Sequence, residues 1–462
     1  MRILLIKPAN PLSDHIQPPL GLGYLATALR SFGHLVKILD CQLRKVKTEK
    51  IPEAVPDFRP EIIGIQFFTQ DIPVMRNLLA GLKKFWPQSL IVVGGPHPTA
   101  CPQEVLQNYP QIDFCFIGEA EISFSRFLAL LGESSGSTDF SRVPGLAWRE
   151  NNTIKKTPGF FSPDIDIFGE PAWDLIQPQK YPPAQHGAFF KNFPIAPIIT
   201  GRGCPYSCSY CAAHLSSGRL IRRRKIENLL AEIRRLVTDF GIREIHIVDD
   251  NFTFDRNYVL DFCRALVSAR LNISWTLPNG VRLDRLDEEM LLAMKESGLY
   301  LIAVAVETAS DRILRLVKKG LTRQQIEQGL SLINRAGIDA AGFFILGFPT
   351  ETSEEIFETI KFSRQLNLIR ANYFTFLPLP GTEAYAGLSA GERKRIDWEK
   401  FDFTSVVYQP SGISRRQLRN WQRQAFLSFY LRPKVLFRNL SQIRSWRHLF
   451  YLLRRAIHWL LT

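Results

Sequence analysis

A chain of 462 residues with 45% hydrophobic and 11% aromatic content is long enough for two or three domains, each with its own core. It has no run of eighteen apolar residues, which excludes a membrane-spanning helix, and its seven cysteines, an odd number, argue against a disulfide framework. The net charge of +14 is unevenly placed: residues 411–462 carry eleven Lys and Arg and no Asp or Glu, leaving +3 for everything before them.

The opening Met-Arg-Ile-Leu-Leu-Ile-Lys-Pro is too short for a signal peptide and reads as a first strand, so a reducing cytoplasm is the expected compartment. Further strands are expected at 35–39, 62–67, 90–93 and 114–117, with amphipathic stretches at 20–31, 74–85 and 122–131 between them. Such alternation predicts a parallel sheet covered by helices on both faces, with ligands bound beyond the carboxyl ends of its strands. At those ends lie Pro8-Ala9-Asn10, Phe68-Thr69-Gln70, Gly94-Gly95-Pro96-His97 and Gly118-Glu119. Glycine there lets a ligand approach the backbone, although tight turns need glycine in any case. Residues 133–195 break the composition, with serines at 134–137 and prolines over 158–183, and read as linker and cap. The expected divisions are 1–135 for the first domain and 136–194 for this linker.

From residue 195 the alternation resumes, with strands expected at 195–200, 244–248, 273–277, 301–306, 341–346 and 373–377. Six strand–helix units over 195–385 predict an open, partial TIM-type (β/α)6 barrel with its active site at the strands' carboxyl ends.

The run Thr-Gly-Arg-Gly-Cys-Pro-Tyr-Ser-Cys-Ser-Tyr-Cys at 200–211 follows the first of these strands. Its Cys204, Cys208 and Cys211 can hold three irons of a cubic 4Fe-4S cluster, leaving the fourth open for chemistry. His214, three residues further, keeps a Cys3His zinc site as an alternative. Cys41, Cys101, Cys115 and Cys263 are isolated and read as buried free thiols.

The Gly-Arg-Gly-Cys-Pro lead-in and Tyr210 resemble the cluster loop of the radical S-adenosylmethionine (SAM) enzymes. With Pro18-Pro19-Leu20-Gly21, the Gly94-Gly95-Pro96-His97 turn and Gly118-Glu119 in view, residues 1–385 resemble the cobalamin-binding branch of that family. The resemblance implies a flavodoxin-like, Rossmann-type cobalamin domain followed by the SAM barrel. It implies Cys204, Cys208 and Cys211 as cluster ligands, and Asp249, Asp250, Glu307, Gly347 and Pro378 as SAM contacts. Asp249-Asp250-Asn251 stands where the wider superfamily often has Gly-Gly-Glu, which leaves open which carboxylate binds the SAM ammonium. For cobalamin, it implies contacts at Gly21, Thr69, Gly94, Gly95, Pro96, His97, Gly118 and Glu119. None of the eight histidines has an Asp two residues earlier, so the family's Asp-x-His-x-x-Gly is missing; the expected cofactor is base-off, with no histidine on cobalt.

The activity implied is reductive cleavage of SAM to a 5′-deoxyadenosyl radical that modifies, and in the leading reading methylates, an unactivated carbon of a small hydrophobic or secondary metabolite. An electron donor such as ferredoxin or flavodoxin is the implied partner. Oxidative cyclisation of a tetrapyrrole-like substrate is the alternative chemistry, and a cobalamin-binding sensor without catalysis the alternative class.

Residues 386–462 are expected to form a basic helical region. There Trp421, Phe426, Phe429, Tyr430, Leu431, Phe437, Trp446, Phe450, Tyr451 and Trp459 interleave with arginines. That mixture fits a helix at a membrane interface, peripheral to the inner face, or a helical cap on the barrel. Nucleic acid is not the expected partner, because electrostatic binding would not need so many aromatics.

Overall fold

A computed structural model describes the chain apart from residues 12–15, 134–137, 184–189, 403–404, 442, 444–445, 447–448 and 451–462. In the N-terminal part, β1 (Arg2–Lys7), β2 (Leu35–Asp40), β3 (Ile62–Gln66), β4 (Leu90–Gly94) and β5 (Phe114–Phe116) are parallel, in the order β2-β1-β3-β4-β5. That is the flavodoxin-like order, whose switch point between β1 and β3 opens a crevice at the carboxyl ends. Ile3, Leu4, Leu5 and Ile6 are all fully buried. Such an unbroken apolar run is what a parallel strand covered on both faces needs.

The expected linker contains two further strands of this sheet. β6 (Leu146–Glu150) and β7 (Thr153–Lys156) form an antiparallel hairpin on the β5 edge. Asn151 and Asn152 join them with φ of 48° and 60°. Two successive left-handed residues are the signature of a type I′ hairpin turn, which asparagine tolerates.

In the second part, β8 (Ile195–Ile198) leads into a short antiparallel ribbon of β9 (Gly201–Arg202) and β10 (Arg222–Arg223). Then follow β11 (Glu244–Ile247), β12 (Ser274–Val281), β13 (Leu299–Glu307), β14 (Asp339–Leu346) and β15 (Arg370–Thr375). The six long strands are parallel, in the order β8-β11-β12-β13-β14-β15, so β8 and β15 are the edges of an open barrel. Trp275 of β12 is fully buried against Phe252 and Phe262, with ring centroids 5.8 Å away in each case.

The helix Arg415–Tyr430 covers the β15 edge, with Leu418, Gln422, Ala425 and Phe429 buried beneath it. Gln422 donates to the Tyr373 carbonyl at 2.7 Å, and the Tyr430 hydroxyl meets the Ala371 N–H at 3.2 Å and its carbonyl at 3.1 Å. Side chains thus satisfy the ladder groups that an edge strand leaves open. A second helix, Pro433–Leu440, continues from it. Tyr451, Trp459 and the rest of the basic terminus lie outside the described residues.

Candidate functional site

The cysteine loop, residues 203–221, is pinched at its base by the β9–β10 ribbon, in which Arg202 faces Arg222. Gly203 enters it at φ +109°, and a Cβ there would stand 2.1 Å from the Leu220 carbonyl oxygen. Only glycine permits that crossing. Within the loop, the Cys204 amide donates to the Gly218 carbonyl at 3.0 Å and the Cys211 amide to the Cys208 carbonyl at 3.1 Å. Ser209, between the second and third cysteines, donates its amide to the Val317 carbonyl at 2.9 Å and accepts from the Ala384 amide at 2.8 Å. Arg282 lies 3.8 Å from the centroid of the Tyr206 ring and is held there by Asp284 at 3.0 Å.

The thiols of Cys204, Cys208 and Cys211 are all part-exposed. Burial pushes Cys204 up and Cys211 to about 12, so a metal that binds them must displace protons. Among the described residues no three Cys, His, Asp or Glu converge on a point for one ion.

The two neighbouring aspartates at the end of β11 behave differently. Asp249 is buried and fully engaged: it accepts from the Thr200 amide at 2.7 Å and its hydroxyl at 2.5 Å, and pairs with Arg223 at 3.1 Å. Asp250 is exposed to a cavity it helps to line, where desolvation raises its pKa while a side-chain hydrogen bond with Ser217 and the charge of Arg202 act against that rise. Glu307, at the end of β13, is buried with φ +66°. It accepts from the Tyr210 hydroxyl at 2.7 Å and pairs with Lys319 at 2.7 Å.

Gly347 turns the chain at φ +81° after β14, and a Cβ there would strike Leu418 of the C-terminal helix at 2.7 Å. Its amide and that of Phe348 donate to the buried carboxyl of Glu351 at 2.6 and 3.0 Å. Pro378 is likewise buried, and neither residue lines the cavity with Asp250.

That cavity, of about 280 Å³, lies between the two sheets. One wall is a shelf of Gly21, Gly64, Gly94, Gly95, Pro96 and Gly118; the opposite wall includes Arg202, Ser217, Asp249 and Asp250. Gly118, at φ +82°, would bring a Cβ within 2.7 Å of the Phe160 carbonyl oxygen, so the shelf stays bare backbone there. A wall of glycine backbone interleaved with Leu22, Val92, Thr99 and Phe116 is a largely apolar face that suits a broad, flat group such as a corrin lying against it.

Two residues expected on this shelf are elsewhere. His97 is buried, its ring 4.6 Å from that of Phe67 and its Nδ1 3.2 Å from the Thr69 hydroxyl. The two side chains satisfy each other outside the cavity wall, and burial lowers His97 to about 4. Thr99 takes the wall position instead, its hydroxyl accepting from the Gly118 amide at 3.0 Å. Glu119 does line the cavity, but its carboxylate is occupied by Arg222 at 2.8 Å and the Ser162 amide at 2.9 Å. Gly64, Glu121, Arg202 and Ser217 also line it without having been expected. The Glu-x-Glu spacing at 119–121 and the Arg-Arg-Arg run at 222–224 were the available signals for part of this network.

Both halves of the chain have counterparts among known proteins. Residues 12–128 match the B12 binding domain and residues 198–363 the Radical SAM superfamily. An uncharacterized methyltransferase of Pyrococcus horikoshii is 31% identical over 100% of this chain and 98% of its own. The chain belongs to the B12-binding radical SAM family. As such an enzyme it needs a 4Fe-4S cluster, SAM, cobalamin and a reductant. The anaerobic magnesium-protoporphyrin IX monomethyl ester cyclase of Rubrivivax gelatinosus is also similar, 26% identical over 94% of this chain and 78% of its own. Among solved structures, the cobalamin-dependent SAM radical enzyme OxsB, with aqua-cobalamin and SAM bound, shares the fold of this B12-binding radical SAM chain. The TM-score is 0.75 at 17% identity, over 99% of this chain and 71% of that one.

Proposed function

We propose that this enzyme methylates an unactivated carbon of a small hydrophobic metabolite, with Cys204, Cys208 and Cys211 holding the cluster and the glycine shelf holding cobalamin in its base-off form, without a histidine ligand. The observation that carries the reading is one cavity whose walls are that shelf and the Asp250 side of the barrel. When bound, the cluster supplies the electron that cleaves SAM, and cobalamin supplies a methyl carrier. Asp250, open to the cavity, accepts the ammonium group of SAM by a charge-assisted hydrogen bond, while Asp249 braces the strand end beneath it. Glu307, oriented by Tyr210 and Lys319, holds a carboxylate beside the cysteine loop. Phe343 and Phe374, half-buried with ring centroids 5.8 Å apart beside Gly280, give a hydrophobic substrate an apolar surface. Ferredoxin or flavodoxin is the electron donor in this reading, and the cytoplasm its compartment.

Methylation takes precedence over ring closure because the 31% identical relative is named a methyltransferase. Similarity to the cyclase keeps oxidative cyclisation as the second reading. Reconstituted protein with SAM and a chemical reductant should yield 5′-deoxyadenosine, and Cys208→Ala should abolish it. Equal yields from both proteins would sink the assignment. Products carrying label from methyl-labelled SAM separate methylation from cyclisation.

The C-terminal helices support peripheral membrane contact as an additional reading. Leu431, Phe437, Trp446 and Phe450 are 66–78% exposed in a segment rich in arginine and free of acids. Apolar and basic groups together favour an anionic bilayer surface. No helix among the described residues is long and apolar enough to cross a membrane. Co-sedimentation with anionic liposomes should fall when the chain is cut after Tyr430, which removes all four, and unchanged sedimentation would refute the contact.

A further inference from the structure

A buried charge cluster ties the ribbon of the cysteine loop to the N-terminal sheet. Arg202, on β9, pairs with Glu121 at 2.7 Å and Glu119 at 3.3 Å. Its guanidinium also lies 5.0 Å from the centroid of the Tyr24 ring and 4.8 Å from that of Phe168. Arg222, directly across the ribbon, pairs with Glu119 at 2.8 Å and donates to the Ser162 carbonyl at 2.7 Å. Side-chain exposure is 13% for Arg202, 7% for Glu121, and 4% for both Glu119 and Arg222.

Two carboxylates from the carboxyl end of β5 and the helix that follows thus neutralise two cations of the ribbon. Buried charges are tolerated only when paired in good geometry, so this cluster admits few relative placements of the two sheets. Arg202 also lines the cavity, on the wall that includes Asp250. A planar fork that bridges two carboxylates while stacking on rings is work for arginine, and lysine cannot reproduce it.

We propose that Arg202 is a positioning residue: its guanidinium, hydrogen-bonded to Glu121 and ion-paired with Glu119, sets how the cofactor shelf faces the cysteine loop, and with it the alignment of SAM and cobalamin. This rests on the two-cofactor reading above. Alignment has a readout that needs no substrate. Passing the SAM methyl as a cation to reduced cobalt breaks the sulfonium–methyl bond and leaves S-adenosylhomocysteine. One-electron cleavage instead leaves methionine and the 5′-deoxyadenosyl radical, collected as 5′-deoxyadenosine after it takes up a hydrogen atom.

The experiment compares parent, R202K and R202Q, each reconstituted with iron, sulfide and cobalamin and reduced with titanium citrate. With R202Q, iron content should match the parent, while aquacobalamin affinity, read by absorbance, falls by about tenfold. The ratio of S-adenosylhomocysteine to 5′-deoxyadenosine should fall by at least about tenfold, the scale expected when reacting groups are misplaced by a fraction of an ångström. R202K should lie between, because it keeps the charge and loses the fork. Parent values for affinity and ratio in R202Q overturn the proposal. Should R202Q not fold, E121Q, which keeps the pair with Glu119, is read in the same way, and an unchanged ratio there overturns it equally. If the parent itself forms no 5′-deoxyadenosine, the two-cofactor reading fails, and cobalamin affinity alone judges Arg202.

Discussion

The Tyr210 hydroxyl donates to Glu307 at 2.7 Å, joining the interior of the cysteine run to the end of β13, 97 residues later in the chain. Lys319 closes the contact from a third side, at 2.7 Å from Glu307 and 3.4 Å from the Tyr210 hydroxyl. Glu307 therefore keeps its buried charge compensated while remaining anchored beside the loop.

Tyr210→Phe should retain iron but lose this tether. A hydrogen bond to a charged buried group contributes about 1.5–3 kcal/mol, so denaturant unfolding should show a loss of that order. SAM cleavage should fall as well, and a variant as stable and as active as the parent would contradict the anchoring role.

The two aspartates should separate stability from binding. Asp249→Asn leaves the guanidinium of Arg223 buried without its carboxylate, and breaking such a pair costs about 3–5 kcal/mol. Asp250→Asn breaks no buried ion pair and keeps an oxygen for Ser217, so it should cost less stability than Asp249→Asn. SAM affinity, measured by equilibrium dialysis, should instead drop in Asp250→Asn, by about tenfold or more for a lost charge-assisted bond. The reverse pattern would exchange the two roles.

Gly203→Ala should disorder the cysteine loop, because its Cβ meets a backbone oxygen that no rotamer change can move. The expected result is a soluble protein with little reconstituted iron, read by its absorbance and iron assay. Full iron incorporation would show that the ribbon can shift.

Stability should depend on pH through His97. Its folded pKa of about 4 lies below the ordinary 6.5, so between these values the unfolded chain takes up a proton that the folded chain refuses. The associated stability is present above pH 6.5 and is lost as pH falls through about 4. The full span corresponds to about 3 kcal/mol. His97→Phe should flatten the change in unfolding free energy between pH 7 and pH 5, and an unaltered slope would assign the acid sensitivity elsewhere.

Much of the architecture was legible because it is written in local pattern. The unbroken apolar runs of β1, β3 and β4, and the glycines that follow β4 and β5, mark parallel strands and their carboxyl ends without reference to anything distant. The hairpin at 146–156 was legible in principle from Asn151-Asn152, but the surrounding prolines and serines obscured it. His97 is a different case. A turn histidine looks the same in sequence whether it faces a ligand or, as here, packs on Phe67.

The three-cysteine loop, the acidic strand ends and the glycine-rich turns are short-range features, and the sequence by itself determined them: the chemistry of an open-iron cluster needs those residue types at that spacing. Only the tertiary structure decided how the charges are shared. Asp249 and Asp250 both line the cavity, but Asp249 is held by Thr200 and Arg223 while its neighbour meets Ser217, and Glu119 is taken by arginines more than eighty residues away. Whether a carboxylate is free for a ligand depends on which cations the fold brings to it, and those pairings between distant segments leave no periodicity or spacing in the chain.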